Sequence, residues 1–221
     1  MRRILSSIDM GTNSIKLIVA EIINNKINIL CAISENTKGI KNGLIVSNEE
    51  VIFSIKKLLK KGENILGIKI KKVITSVPEY ELKFSKGVGV NTITNEDGIV
   101  NKNDISRILK TCAYNKVSDD YELINIIPLE YELDDKQVKN PIGMSGSKLK
   151  LNSVIISAPK DYTYSFIKVL EKSGLEVVDI TLGSLADYAL FKNEFLNENN
   201  GVIVNLGGGK TTISVFYKGI L

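Results

Sequence analysis

The chain has 221 residues and a mass of 24.4 kDa, long for one ordinary domain and short for two large ones, with 43% hydrophobic and 24% charged residues and a net charge of +4. These values support a packed core, exclude bulk disorder, and are too weakly basic to mark a nucleic-acid binder. Histidine is absent, which removes a His-ligated metal site, a His general base and a Ser-His-Asp triad from consideration.

Cys31 and Cys112 have no CxxC pairing. They are expected to be buried thiols, and the chain is expected in a reducing, cytoplasmic compartment. The apolar stretch of the first residues is broken by Ser6, Ser7 and Asp9, too early for a signal-peptide core. No window approaches 18 apolar residues, so no transmembrane segment is expected.

In chain order, residues 3–9 and 14–22 are β-branched runs around a Gly-Thr-Asn turn, with Ile15, Leu17 and Val19 alternating as one strand face. They predict a hairpin, and residues 26–34 a third antiparallel strand. Ser47 and Glu50 form a capping-box pattern ahead of a helix whose inner face is Val51, Ile55, Leu58 and Leu59. A strand over 69–77 stops at Pro78.

The middle third reads as a β-α-β-β unit. A strand over 84–93 and an amphipathic helix over 101–115 precede two longer strands, 121–133 and 147–158, which flank a Pro-Ile-Gly-Met-Ser-Gly segment. The last third alternates again, with helices at 161–173 and 184–196 around a strand at 175–181. Strands at 201–206 and 211–217 then bracket Gly207-Gly208-Gly209-Lys210.

Two constellations carry chemistry. The first is Asp9-Met10-Gly11-Thr12-Asn13-Ser14-Ile15-Lys16. Gly11 lets backbone approach a ligand, the turn amides can form an anion nest, Thr12, Asn13 and Ser14 add donors, and Lys16 adds charge. These parts suit a polyphosphate, and Asp9 could hold the waters of a Mg²⁺ ion. Taken alone, the segment reads equally as a polar hairpin turn.

The second, Asn205-Leu206-Gly207-Gly208-Gly209-Lys210-Thr211-Thr212-Ile213, repeats the design 196 residues later. Two such hairpins could face each other and clamp phosphates from both sides. Neither a Walker A loop nor GxGxxG is present. A triple-Gly hairpin read by itself is also a flexible turn.

The two hairpins resemble the phosphate-1 and phosphate-2 motifs of the actin/Hsp70/sugar-kinase ATPase superfamily. The segments between them resemble the bacterial cell-division family FtsA. The carrying residues are 39–46 (GIKNGLIV), 124–131 (INIIPLEY), 139–146 (KNPIGMSG) and 174–177 (GLEV), with PIGMSG the most specific.

The resemblance implies an α/β, actin-like (ribonuclease H-like) fold with an inserted β-α-β-β subdomain and a second actin-like domain only begun. Residues 1–83 and 159–198 correspond to actin-like subdomain IA, 84–158 to the FtsA-type interaction insert, and 199–221 to the start of the second domain. It also implies ATP and Mg²⁺ as ligands, self-association through 84–158, and FtsZ and other division proteins as partners, with no nucleic acid. The nucleotide would meet Asp9, Gly11, Thr12, Asn13, Ser14, Lys16, Gly207, Gly208, Gly209, Lys210 and Thr211, with Asp9 reaching the metal through water.

Departures from the pattern matter. The family's Asp at the start of phosphate 2 is Asn205 here, and its Gly-Gly-Gly-Thr-Thr-Asp reads Gly-Gly-Gly-Lys-Thr-Thr. Two carboxylates are thereby lost, which puts hydrolysis in doubt. Lys210 either pairs with a phosphate or is a solvated turn lysine. The family's adenine-binding region, FtsZ-gripping region and membrane helix would lie beyond Leu221, so a C-terminally truncated chain is expected. It would bind ATP weakly, act as a scaffold rather than an ATPase, and lie at the inner membrane face only where a missing terminal helix is supplied. The alternatives are an ATP-binding pilus-assembly protein and an active actin-fold ATPase.

Overall fold

A computed structural model describes residues 3–24, 26–192, 200–217 and 220–221. Three strands open the chain: β1 (Arg3–Met10), β2 (Ser14–Ile23) and β3 (Lys26–Asn36) pair antiparallel in succession. Their alternation sorts the side chains as expected, with Ile8, Met10, Ile15, Leu17 and Val19 all buried. Two short strands follow, β4 (Ile40–Lys41) and β5 (Leu44–Ile45). The Asn42-Gly43 turn between them has positive φ at both residues (52° and 77°), the hairpin geometry that Asn-Gly accommodates.

Helix α1 (Asn48–Leu66) begins where Ser47 Oγ accepts the Glu50 N–H at 3.5 Å, the Ser47 half of the expected capping box. It ends at Gly67, whose left-handed backbone (φ 69°) lets its N–H reach the Glu63 carbonyl at 2.8 Å. Val51, Ile55, Leu58 and Leu59 are buried as predicted. Strand β6 (Lys72–Val77) then runs parallel to β1.

The chain divides into two units, Met1–Glu79 with Asp161–Gly219, and Tyr80–Lys160. In the second, β7 (Lys83–Thr92), α2 (Lys102–Ala113), β8 (Tyr121–Leu133), β9 (Lys136–Val138) and β10 (Lys148–Pro159) build a separate four-stranded sheet of order β7-β10-β8-β9. A reciprocal capping box starts α2: Asn101 accepts the Asp104 N–H, and the Asp104 carboxylate accepts the Asn101 N–H. Gly87 and Gly89 leave no room for a Cβ against Cys112 and Ile108, so the helix lies close on the strand. The PIGMSG segment is tied to Gly98–Val100 by backbone bonds, among them Gly146 N–H to the Gly98 carbonyl at 3.0 Å. Cys112 is a buried free thiol here, as Cys31 is in the first unit.

The first unit is completed by α3 (Lys160–Lys172), β11 (Glu176–Leu182), α4 (Gly183–Phe191) and the hairpin β12 (Asn200–Leu206) with β13 (Thr211–Tyr217). The helix expected over 184–196 ends at Phe191, and residues 193–196 lie outside the described residues. The main sheet has order β11-β6-β1-β2-β3, with β11 parallel to β6. Its inner face shares one core with Val51, Ile55 and Leu58 of α1 and Phe166, Val169 and Leu170 of α3. At about 1.5–3 kcal/mol for each large side chain removed from water, this cluster is the main source of the unit's stability. The β12–β13 hairpin docks through Phe216, which is fully buried and stacked on Tyr188 at 4.5 Å. Among the described residues, no helix is long and apolar enough to cross a membrane.

Candidate functional site

The turn after β1 and the turn after β12 are closed by the same hydrogen bond. Gly11 N–H donates to the Ser14 carbonyl at 3.0 Å, and Gly207 N–H donates to the Lys210 carbonyl at 2.9 Å. In each, a Cβ on the leading glycine would approach that carbonyl, to 2.6 Å at Gly207, where glycine is needed, and to 3.1 Å at Gly11, where the fit is tight. Superposing the two turns by this bond sets Asp9 on Asn205 and Ser14 on Lys210. It also sets the cross-strand pair Asp9–Lys16 on the pair Asn205–Thr212.

The turns meet. A Cβ on Gly208 would fall on the side-chain amide of Asn13, and one on Gly209 would lie 3.0 Å from Thr12 and 3.1 Å from the backbone nitrogen of Asn42. The β4–β5 turn braces the contact, because Gly43 N–H donates to Thr12 Oγ1 at 3.0 Å. Part of the Thr12 hydroxyl's capacity is therefore used inside the protein. The Gly39–Val46 segment, noted in the sequence only for its resemblance, is thus a wall of the site.

Around the meeting point lies a cleft of about 220 Å³, below the roughly 300–1,000 Å³ typical of pockets that enclose a whole ligand. Asp9, Gly11, Thr12, Asn13, Ser14, Lys16, Gly207, Gly208, Gly209 and Lys210 all line it, whereas Thr211 does not; Asn205 and Thr212 do. The main sheet contributes the ends of β1 and β6, where ligands gather in open α/β sheets.

Charges in the cleft are largely paired. Lys16 Nζ lies 3.4 Å from Asp9 Oδ2, both more than half exposed, and Ser76 Oγ donates to Asp9 Oδ1 at 3.2 Å. Glu79 Oε1 accepts the Ser184 N–H at 2.7 Å, holding a carboxylate at the start of α4 where the helix dipole favours it. Burial pushes the Lys210 ammonium below its usual pKa, and the negative charge of Glu79 opposes that shift. Asp187 Oδ2 accepts from Asn205 Nδ2 at 3.1 Å.

Ser76, Glu79, Ser184 and Asp187 were not singled out from the sequence. A signal existed for the first two, which sit at the carboxyl end of a predicted strand next to Pro78. Asp187 carries no local signal, since only the docking of α4 on the hairpin brings it to Asn205. Among the described residues, no group of three or more His, Cys, Asp or Glu side chains is placed to hold a metal ion. The donor set fits a phosphate-bound Mg²⁺, which takes one or two carboxylates and keeps its waters, better than an all-protein cage.

Residues 81–157 match the SHS2 domain inserted in FtsA. The whole chain is similar to cell division protein FtsA of Bacillus subtilis (29% identical over 219 residues, 97% of this chain) and of Streptococcus pneumoniae (27% over 210 residues, 95%). It is similar also to that of Escherichia coli K12 (24% over 222 residues, 100%). It spans about half the length of these relatives, 46–52%. Among solved structures, the PilM–PilN type IV pilus biogenesis complex matches with a TM-score of 0.60 at 12% identity, covering 96% of this chain and 61% of that one. Ethanolamine utilization protein EutJ from Carboxydothermus hydrogenoformans matches with 0.53 at 18%, covering 99% and 49%. Both likenesses are of fold alone, and the fold is actin-like. The chain thus combines a segment matching the SHS2 domain inserted in FtsA with an actin-like framework and similarity to FtsA proteins along 95–100% of its length.

Proposed function

We propose that the chain serves as an FtsA-like cell-division scaffold whose cleft takes the polyphosphate end of ATP with Mg²⁺, weakly and without efficient hydrolysis. The observation that carries this reading is the convergence of two glycine turns of one design, Asn13 against Gly208, around a cleft sized for phosphates. The amides of the Gly11–Ser14 and Gly207–Lys210 turns would donate to phosphate oxygens, with Thr12, Asn13 and Ser14 adding side-chain donors. Lys210, already partly desolvated, would gain from an anionic partner. Asp9 would hold the water shell of Mg²⁺, which when bound neutralises charge on the phosphates.

Weak hydrolysis follows from Asn205, whose amide cannot take a proton from water as a carboxylate does. Similarity to FtsA supports FtsZ and other division proteins as partners, and the SHS2 match supports the 84–158 segment as the surface for self-association. The domain assignment proposed is 1–83 with 159–198 as subdomain IA, 84–158 as the insert, and 199–221 as the beginning of a second actin-like domain. A cytoplasmic location, peripheral to the membrane through another segment, is part of the same reading.

Equilibrium titration with labelled ATP tests the cleft: binding weaker than micromolar is expected, and micromolar or tighter affinity overturns the claim of impairment. Removing residues 84–158 should abolish oligomers in light scattering. The alternative of a pilus-assembly protein draws on the fold likeness to the PilM–PilN complex. Retention by immobilised FtsZ favours the division role, and phosphate release at a steady rate would favour the active ATPase.

A further inference from the structure

The second glycine hairpin carries an amide where the first carries a carboxylate, since Asn205 occupies the place of Asp9 when the turns are matched by their closing hydrogen bonds. The carboxylate is nevertheless present. Asp187, from the second turn of α4, lines the same cleft and receives the Asn205 Nδ2–H at 3.1 Å. Its position relative to the loop is therefore set by a hydrogen bond to the loop's own first residue.

The charges of the cleft make this carboxylate distinct. Asp9 is offset by Lys16, and Glu79 acts on Lys210. Asp187 has a neutral amide as its partner, so it supplies the surplus negative charge among the described residues lining the cleft. A polyphosphate entering alone would meet like charge at short range, whereas a divalent cation between them converts repulsion into attraction. The bond from Nδ2 to Asp187 also fixes the Asn205 amide, leaving its Oδ1 on the other side as a second oxygen for a hard cation or its waters.

We infer that Asp187 and Asn205 together form a divalent-cation subsite, with Asp187 as the relocated carboxylate of the second turn, which makes polyphosphate binding in this cleft depend on Mg²⁺ or Mn²⁺. The inference rests on the polyphosphate reading of the cleft given above. It assigns to Asp187 a role separate from that of Asp9.

The test is calorimetric titration of ATP into the full 221-residue chain, in saturating Mg²⁺ and in EDTA, with Mn²⁺ binding followed in parallel by electron paramagnetic resonance. The unaltered chain should bind ATP more tightly with Mg²⁺. Asp187→Asn, which keeps a hydrogen-bonding group of the same shape, should lower Mg²⁺-supported affinity about 10–100-fold. It should raise the EDTA value, because the bare polyphosphate no longer meets that charge, leave the melting temperature in place, and weaken Mn²⁺ binding. Adding Asn205→Asp to that variant should restore the dependence on the cation. An Asp187→Asn chain that keeps the original ratio of affinities and the original Mn²⁺ binding overturns the inference. If the unaltered chain binds ATP neither with Mg²⁺ nor without it, the polyphosphate reading itself fails and this inference falls with it.

Discussion

Asn13 and Gly208 pack so closely that a Cβ on Gly208 would lie 2.3 Å from the Asn13 side-chain amide as it stands. Two turns separated by most of the chain are thus packed with the backbone of one against the side chains of the other. Gly208→Ala must displace the exposed Asn13 side chain, at a cost of about 1 kcal/mol where it leaves its preferred rotamer, and thereby takes the Asn13 amide away from the phosphates. The expected result is a lower melting temperature together with loss of ATP affinity. Retained affinity in a chain that melts normally would show that the contact does not shape the cleft.

Thr12 connects the first turn to the β4–β5 hairpin through the Gly43 N–H. Thr12→Val preserves shape and removes the acceptor, leaving that partly buried N–H without its bond, an effect of about 1–3 kcal/mol. Thr12→Ser should retain most of the stability. Hydrogen exchange at Gly43 reads the change directly, with faster exchange expected in the valine variant alone.

The repeated turn design was legible because it is local: glycine, hydroxyl and amide side chains between two alternating strands. The inner faces of β1–β3 and α1 were legible for the same reason, since period-2 and period-3.6 patterns place Leu17 and Ile55 without knowledge of partners. The strands β4, β5 and β9, each of two or three residues, lie below the length at which alternation can be seen. A complete capping box forms at Asn101 and Asp104, whereas at Ser47 and Glu50 the described bond is the serine half. Glu79 and Asp187 enter the cleft through contacts 105 and 18 residues away in sequence, and no local pattern encodes such a meeting.

Asp104 links sequence-local capping to pH. It is 2% exposed. Burial alone would raise its pKa, but the Asn101 N–H, the Asn95 amide and the Arg107 guanidinium at 2.6 Å hold it below the ordinary value. A depressed folded-state pKa contributes stability that is present above the unfolded value, about 3.9, and is lost as pH falls through the folded one. The insert should therefore lose stability below about pH 4. Asp104→Asn should cost about 1–2 kcal/mol at neutral pH, and its acid limb should be shallower in melts taken across that range.

Phe216 fastens the β12–β13 hairpin to the rest of its unit. It is fully buried against Tyr188, while Val202, Val204, Leu206, Ile213, Val215 and Tyr217 on the same two strands are more than half exposed. A two-stranded sheet has little stability of its own, so this buried contact is the main hydrophobic anchor that keeps Asn205 and the three glycines in the cleft. Phe216→Ala removes about 3–5 kcal/mol of packing. Amides of residues 200–217 should then lose their protection from hydrogen exchange, while those of Tyr80–Lys160 remain as before. ATP affinity should fall with the hairpin's protection, because the Asn205–Asp187 hydrogen bond and the turn contacts of Gly208 and Gly209 are exposed or glycine contacts that do not replace this buried packing. Unchanged exchange in 200–217 would mean that the Asn205–Asp187 bond and the turn contacts, rather than the Phe216–Tyr188 stack, hold the hairpin in place.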